Sequence, residues 1–125
     1  MADMTAEFFN ALAERGHEPL LEKATGTMRF DLTDGKRIDR WLVAVTKGDI
    51  VVSRRNVRAD AVVVADKALF ERIASGEANA MAAMLRGEMG VDGDVRLVMA
   101  FQRLLPGPQR ARKRRRPTPA ARRKR

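Results

Sequence analysis

Cysteine and tyrosine are absent from this 125-residue chain, and histidine and tryptophan occur once each. Without cysteine there is neither a disulfide framework nor a thiolate metal site. Ser53 and Ser75 are the two serines and His17 the one histidine, a thin stock of nucleophiles and bases for catalysis. No apolar run approaches the roughly 18 residues that a membrane-spanning helix needs. The first residues, MADMTAEFFNALAERG, do not pair a charged start with an apolar run and so do not resemble a secretory signal. These shortages lead us to expect a soluble, cytoplasmic, non-enzymatic protein with no metal and no cofactor.

Positive charge, by contrast, is abundant and unevenly placed. The net charge is +9, yet Arg110, Arg112, Lys113, Arg114, Arg115, Arg116, Arg122, Arg123, Lys124 and Arg125 hold ten of the 25 Lys and Arg. That leaves 15 basic residues in positions 1–105 against all 16 Asp and Glu, a net charge of −1. The organisation expected is therefore one near-neutral domain over 1–105 and a disordered Arg/Lys-rich tail over 106–125.

Within the domain, Met4, Phe8, Phe9 and Leu12 recur at helical spacing and Gly16 follows as a stop. Pro19 suits the start of a short helical turn. The period then changes: Met28, Phe30 and Leu32 alternate with polar residues as in a strand with one buried face. Asp34-Gly35 predicts a tight hairpin, Trp41, Val43 and Val45 form the apolar side of a second strand, and Lys47-Gly48 turns into a third, DIVVSRR. ADAVVVA, apolar on both faces, reads as an interior fourth strand. Asp66 is placed to cap the helix KALFERIAS, a second helix EANAMAAMLR ends at Gly87, and EMGVDGD supplies a short fifth strand. Asp94 caps a last helix bearing Leu97, Val98, Phe101, Leu104 and Leu105, which Pro106 stops. The class is α+β: a three-strand meander, a crossover strand, helices and a further strand in one mostly antiparallel five-stranded sheet covered by helices.

Three patterns invite chemistry and fail on spacing. His17 has no second histidine to complete a metal site, and it reads as a surface or cap residue. Asp92-Gly93-Asp94 lacks the further carboxylates of a calcium loop. Gly87, Gly90 and Gly93 follow a helix, whereas a dinucleotide fingerprint follows a strand and opens a helix.

Met81, Met84, Met89 and Met99 lie among Ala74, Ala78, Ala80, Ala82 and Ala83. Such a segment either fills an ordinary core or forms the adaptable wall of an apolar pocket. GTMRFDLTDGKRIDRWLVAVTKGDIVVS, ADAVVVADKALFERIASGEANAMAAMLRGEMGVDGD and LVMAFQRL resemble, in order and spacing, the sterol carrier protein 2 family over residues 5–105. The resemblance implies helices enclosing an apolar cavity against a five-stranded sheet, with a fatty acid, acyl-CoA or sterol-like lipid as ligand and no catalysis. It places the wall on helices at 67–75, 77–86 and 95–105, with Trp41, Phe70, Ile73, Met81, Met84, Leu85, Met89, Met99, Phe101 and Leu104 as lining. The chain ends RRKR, not in a peroxisomal address, so the resemblance implies a stand-alone bacterial-type domain.

Arg54, Arg55 and Arg58 are either solvated loop residues or partners for a carboxylate or phosphate head group. The tail either solubilises the chain with no dedicated partner or fits one of two kinds of partner. On an anionic membrane each basic residue near the surface is worth about 1 kcal/mol, which suits a lipid carrier. On nucleic acid the same charges bind without sequence preference, through counterion release, and the domain is then only a carrier for the tail.

Overall fold

A computed structural model describes residues 3–105. Helix α1 (Met4–Arg15) starts at Asp3, whose side chain accepts from the Thr5 and Ala6 N–H groups. It stops at Gly16, where φ of +68° lets the backbone N–H turn back to Leu12. A single 3₁₀ turn at Pro19–Leu21 buries Leu21 and leads into the sheet. The strands are β1 (Thr25–Asp34), β2 (Arg37–Thr46), β3 (Asp49–Ser53), β4 (Ala61–Asp66) and β5 (Met89–Gly93). Helices α2 (Lys67–Ala74) and α3 (Ala80–Leu85) lie between β4 and β5, and α4 (Val95–Gln102) follows β5.

The spatial order is β3-β2-β1-β4-β5. β1 and β4 run parallel and every other neighbouring pair is antiparallel. This is the expected α+β architecture, with β4 the crossover strand that returns to β1 from the far side of the meander.

Alternation decides which face is buried. Met28, Phe30 and Leu32 on β1 share a face with Trp41, Val43 and Val45 on β2, Ala61, Val63 and Ala65 on β4, and Met89 on β5, and all are buried. Helices α1, α2 and α4 pack on that face through Phe9, Leu12, Leu69, Phe70, Ile73, Leu97, Val98 and Phe101. Each fully buried side chain of this size contributes about 1.5–3 kcal/mol, and together they form one core. The opposite face is open, with Ile38, Val51 and Val64 exposed. Arg29 and Arg40 there converge on Asp31, at 2.9 and 3.4 Å.

Local departures from the expected pattern have identifiable causes. The first hairpin turns one residue later than Asp34-Gly35 suggests: Asp34 pairs with Arg37 and Gly35-Lys36 form the loop. Gly35 carries φ of +64°, the glycine-first form of a two-residue turn. The second hairpin is as read, with Lys47 and Gly48 both at positive φ (48° and 91°). Asp66 stands at the N-cap of α2, as read, but its side chain makes no cap bond. Its carboxylate instead accepts from the Thr33 hydroxyl at 2.9 Å, so a cross-strand partner wins over the helix end. β4 is interior, but one of its faces belongs to the open side, so Val64 is exposed and Val62 half-buried. α3 is shorter than EANAMAAMLR: Asn79 caps it through the Ala82 N–H, and Ala80 is its first residue. α4 ends at Gln102, with Leu104 and Leu105 in the turn that follows. No helix of the described residues is long and apolar enough to cross a membrane.

Candidate functional site

Cross-strand pairing sets Phe30 opposite Trp41 on the helix-covered face. α1 lowers Phe8 and Phe9 onto them, α2 adds Phe70 and α4 adds Phe101. All six aromatic residues of the chain thereby join one network. Phe9, 0% exposed, is its centre. One face stacks on Trp41 (centroids 4.8 Å apart, planes 13°) and the other on Phe70 (5.4 Å, 4°). Phe8 and Phe30 approach its sides at 5.2 Å each, and Phe101 completes the group against Phe30, also at 5.2 Å. Such ring contacts add about 0.5–1.5 kcal/mol each beyond area burial.

The column does not end inside the molecule. The Arg54 guanidinium carbon lies 4.0 Å from the Trp41 ring centroid, so a cation caps the stack on its outer side. Arg54 Nε donates to the Arg40 carbonyl at 2.7 Å and Nη2 pairs with Asp39. Asp39 also receives Lys67 Nζ at 3.1 Å, and Lys67 reaches Asp3 at 3.0 Å. One chain of charges therefore ties the residue after β3 to β2, to the start of α2 and to the cap of α1. Burial opposes the Lys67 charge, but its hydrogen bonds to Asp3 and Asp39 outweigh it and raise its pKa. The Ala6 N–H and then Lys67 hold the Asp3 carboxyl below its ordinary value. Beside this network is a hollow of about 480 Å³ lined by Asp3, Asp34, Arg37, Ile38, Asp39, Arg54 and Lys67.

Trp41 is 5% exposed, and its Nε1 is buried with no hydrogen-bond partner. A buried donor left without an acceptor costs about 1–3 kcal/mol.

The residues expected to line a cavity divide into three groups. Trp41, Phe70, Ile73, Met89 and Phe101 are buried in the one core. Met81, Met84 and Leu104 are half-buried, with Met84 and Leu104 packed against it. Met99, also half-buried, lines a surface groove with Val95, Arg96, Ala100, Gln102 and Arg103, and Leu85 is 81% exposed. Phe8, Phe9 and Phe30 belong to the same cluster and were absent from that expectation. Their signal was present, as the α1 stripe and the β1 alternation, but neither pattern names the partner across the core. Of the three loop arginines Arg54 is engaged, while Arg55 and Arg58 are exposed. The ten basic positions from Arg110 to Arg125 lie outside the described residues.

A family model for the SCP-2 sterol transfer family matches residues 9–106, the span that holds the sheet, the helices from the middle of α1 onward and all but one ring of the cluster. The chain belongs to the SCP-2 sterol transfer family. Solved structures agree on the fold. Sterol carrier protein domain 2 of Helicoverpa armigera superposes with a TM-score of 0.66 at 20% identity, covering 81% of this chain and 84% of that one. Sterol carrier protein 2 of Aedes aegypti, solved in complex with the C16 fatty acid palmitate, gives 0.64 at 23%, covering 83% and 96%. The SCP-2 fold also occurs inside a much larger protein. The sec-alkylsulfatase Pisa1 of Pseudomonas sp. matches 80% of this chain over 16% of its own length, with a TM-score of 0.63 at 22% identity. No curated protein sequence matches the chain.

Proposed function

We propose that the protein is a non-catalytic lipid carrier which takes a fatty acid, acyl-CoA or sterol-like molecule between its helices and its sheet. The observation that carries this reading is the shared apolar interior, roofed by α1, α2 and α4, in a member of a sterol transfer family. The Aedes aegypti relative with palmitate supports it by fold. The energetics are favourable. Burying an acyl chain gains about 0.8 kcal/mol per methylene, so a C16 chain gains roughly 12 kcal/mol gross. That is enough to part several ring contacts of about 1 kcal/mol each. The ligand thus replaces aromatic packing with acyl packing.

We further propose that the protein meets anionic membranes through α4 and the tail. Lys23, Arg96 and Arg103, against the single acid Asp94, frame the apolar Leu20, Leu97 and Ala100 in a surface groove of about 270 Å³. The ten basic residues of 110–125 follow soon after α4 in the chain. This mixture of cationic rim and apolar floor favours a lipid surface over nucleic acid, which would use the charge alone.

The test is native mass spectrometry of the purified full chain, delipidated and then offered palmitate, palmitoyl-CoA and cholesterol. Uptake of at least one is expected, and uptake of none at any usable concentration ends the carrier reading. In parallel, binding to phosphatidylserine vesicles and to duplex DNA is measured across salt. Preference for DNA would replace the membrane reading with the nucleic-acid one.

A further inference from the structure

Three buried side-chain atoms of the described residues lack a hydrogen-bond partner: Glu18 Oε1, Arg40 Nε and Trp41 Nε1. The first two are ion-paired, with Arg15 and Asp31 respectively. The indole N–H alone among them has neither kind of partner. A native interior rarely leaves such a donor idle without a use for it.

Its surroundings indicate what the missing acceptor is. The Arg54 guanidinium lies over the same ring, 4.0 Å from its centroid. Arg54 spends Nε on Arg40 and Nη2 on Asp39, which leaves Nη1 without a hydrogen bond or ion pair among the described residues. A fixed cation beside an unpaired N–H selects an acceptor that carries negative charge, because charge-assisted hydrogen bonds are about twice as strong as neutral ones. The neighbouring acids do not fill the role. Asp39 is shared between Arg54 and Lys67, and Asp3 is held by Lys67 and the α1 cap. Behind the indole, the opposite direction is wholly apolar: Phe9 and then Phe70 continue the stack. The site is thus polar at one end, where Arg37, Arg54 and Lys67 balance Asp3, Asp34 and Asp39 around the hollow and Arg54 Nη1 is the donor left for an acidic head, and hydrocarbon at the other, the profile of an amphiphile.

We propose that Trp41 Nε1 and Arg54 are the head-group site for a long-chain carboxylate, whose hydrocarbon displaces Phe9 along the ring column. This rests on the carrier reading above and narrows its ligand class to ionised acyl chains. Arg54 already stands at the outer end of the column, 57% exposed. A head group held there stays next to the 480 Å³ hollow while its chain is buried, so the carboxylate need not be desolvated completely.

The single tryptophan supplies one indole N–H resonance with no assignment ambiguity. Full-length protein labelled with ¹⁵N at tryptophan is titrated with palmitate and with 1-hexadecanol, and binding of each is measured by calorimetry. Palmitate is expected to move the indole proton downfield. Arg54→Gln is expected to weaken palmitate about tenfold or more, the range of a charged hydrogen bond, while leaving 1-hexadecanol unchanged. Trp41→Phe, which keeps a ring and removes the donor, is expected to weaken palmitate as well. If palmitate binds but the indole resonance stays in place and Arg54→Gln binds it as tightly as the parent, the head-group assignment is overturned and the carrier reading survives. Failure of the parent to bind either ligand strikes the carrier reading itself. The resonance and the Arg54 variant answer the question even if Trp41→Phe folds poorly.

Discussion

His17 Nδ1 lies 2.7 Å from Asp49 Oδ1, and Nε2 is 3.8 Å from Glu22 Oε2. The same residue forms an isolated backbone bridge to Asp49, which fastens the end of α1 to the start of β3. The hydrogen bond that the imidazole donates to Asp49, joined by the charges of Asp49 and Glu22, outweighs desolvation and raises the imidazole pKa above the usual 6.5. The folded form therefore holds the proton more tightly than the unfolded chain does. Its stabilisation is complete below pH about 6.5 and fades as pH rises through the higher folded value. With the imidazole 45% exposed, the effect is small. We expect the His17 proton titration to fall back toward pH 6.5 in Asp49→Asn, followed by NMR. The stability gap between parent and variant should shrink as pH rises past the folded pKa; a gap that widened would contradict this assignment. The sequence reading of His17 as a surface or cap residue with no metal role did not anticipate Asp49, which is 32 positions away in the chain. Spacing reveals partners one helical turn or one strand residue apart, and not those joined by topology.

Elements were legible wherever one periodicity dominated. The α1 stripe of Met4, Phe8, Phe9 and Leu12 and the alternations around Phe30 and Trp41 mark surfaces that must be covered, whatever covers them. The hairpin frame was less legible, because Asp34-Gly35 and Gly35-Lys36 are both acceptable as turns. A turn centred on Asp34-Gly35 would set Asp39 opposite Phe30 and Arg37 opposite Leu32, one same-face pair deeper into the apolar side than the observed Asp39 opposite Leu32 and Arg37 opposite Asp34. The observed frame sets Phe30 opposite Trp41 instead, so packing across the strands chose between two equivalent local signals. Gly93 shows the same dependence on distant backbone. It ends β5 at φ of +99°, and a Cβ there would lie 2.2 Å from the Asp60 carbonyl oxygen. That carbonyl is fixed by the Asp94 N–H at 2.8 Å. The left-handed conformation alone costs a residue with a side chain about 1–2 kcal/mol, and the collision with backbone adds to it. Gly93→Ala should therefore lower stability by more than about 2 kcal/mol in urea titrations. Loss of less than that would mean β5 can separate from Asp60 without penalty.

At the scale of the whole molecule, the question is how the proposed guest is seated beside this aromatic core. Trp41, Phe70 and Phe101 were recognised from the sequence as facing the interior, and Phe8, Phe9 and Phe30 were not paired with them. The six rings come from α1, β1, β2, α2 and α4, and only the complete fold shows that they meet. Phe9 is the ring on which the column depends, since it separates Trp41 from Phe70 and touches Phe8 and Phe30. Removing it leaves a ring-sized void and costs about 3–5 kcal/mol, as large-to-small core changes do. If lipid occupies the same column, that void is space the ligand no longer has to open. Phe9→Ala should then be less stable than the parent alone, and palmitate should restore more stability to the variant than to the parent. Ligand that binds only the folded form adds RT ln(1 + [L]/Kd), so the larger rescue reports a tighter Kd directly. Urea unfolding of both proteins with and without palmitate measures it. Equal rescue would place the lipid away from Phe9, and weaker rescue would make this ring a wall that the guest needs. Greater rescue would identify Phe9 as the plug: the fold uses its own aromatic chemistry to keep the interior dry, and surrenders it when an acyl chain offers comparable burial.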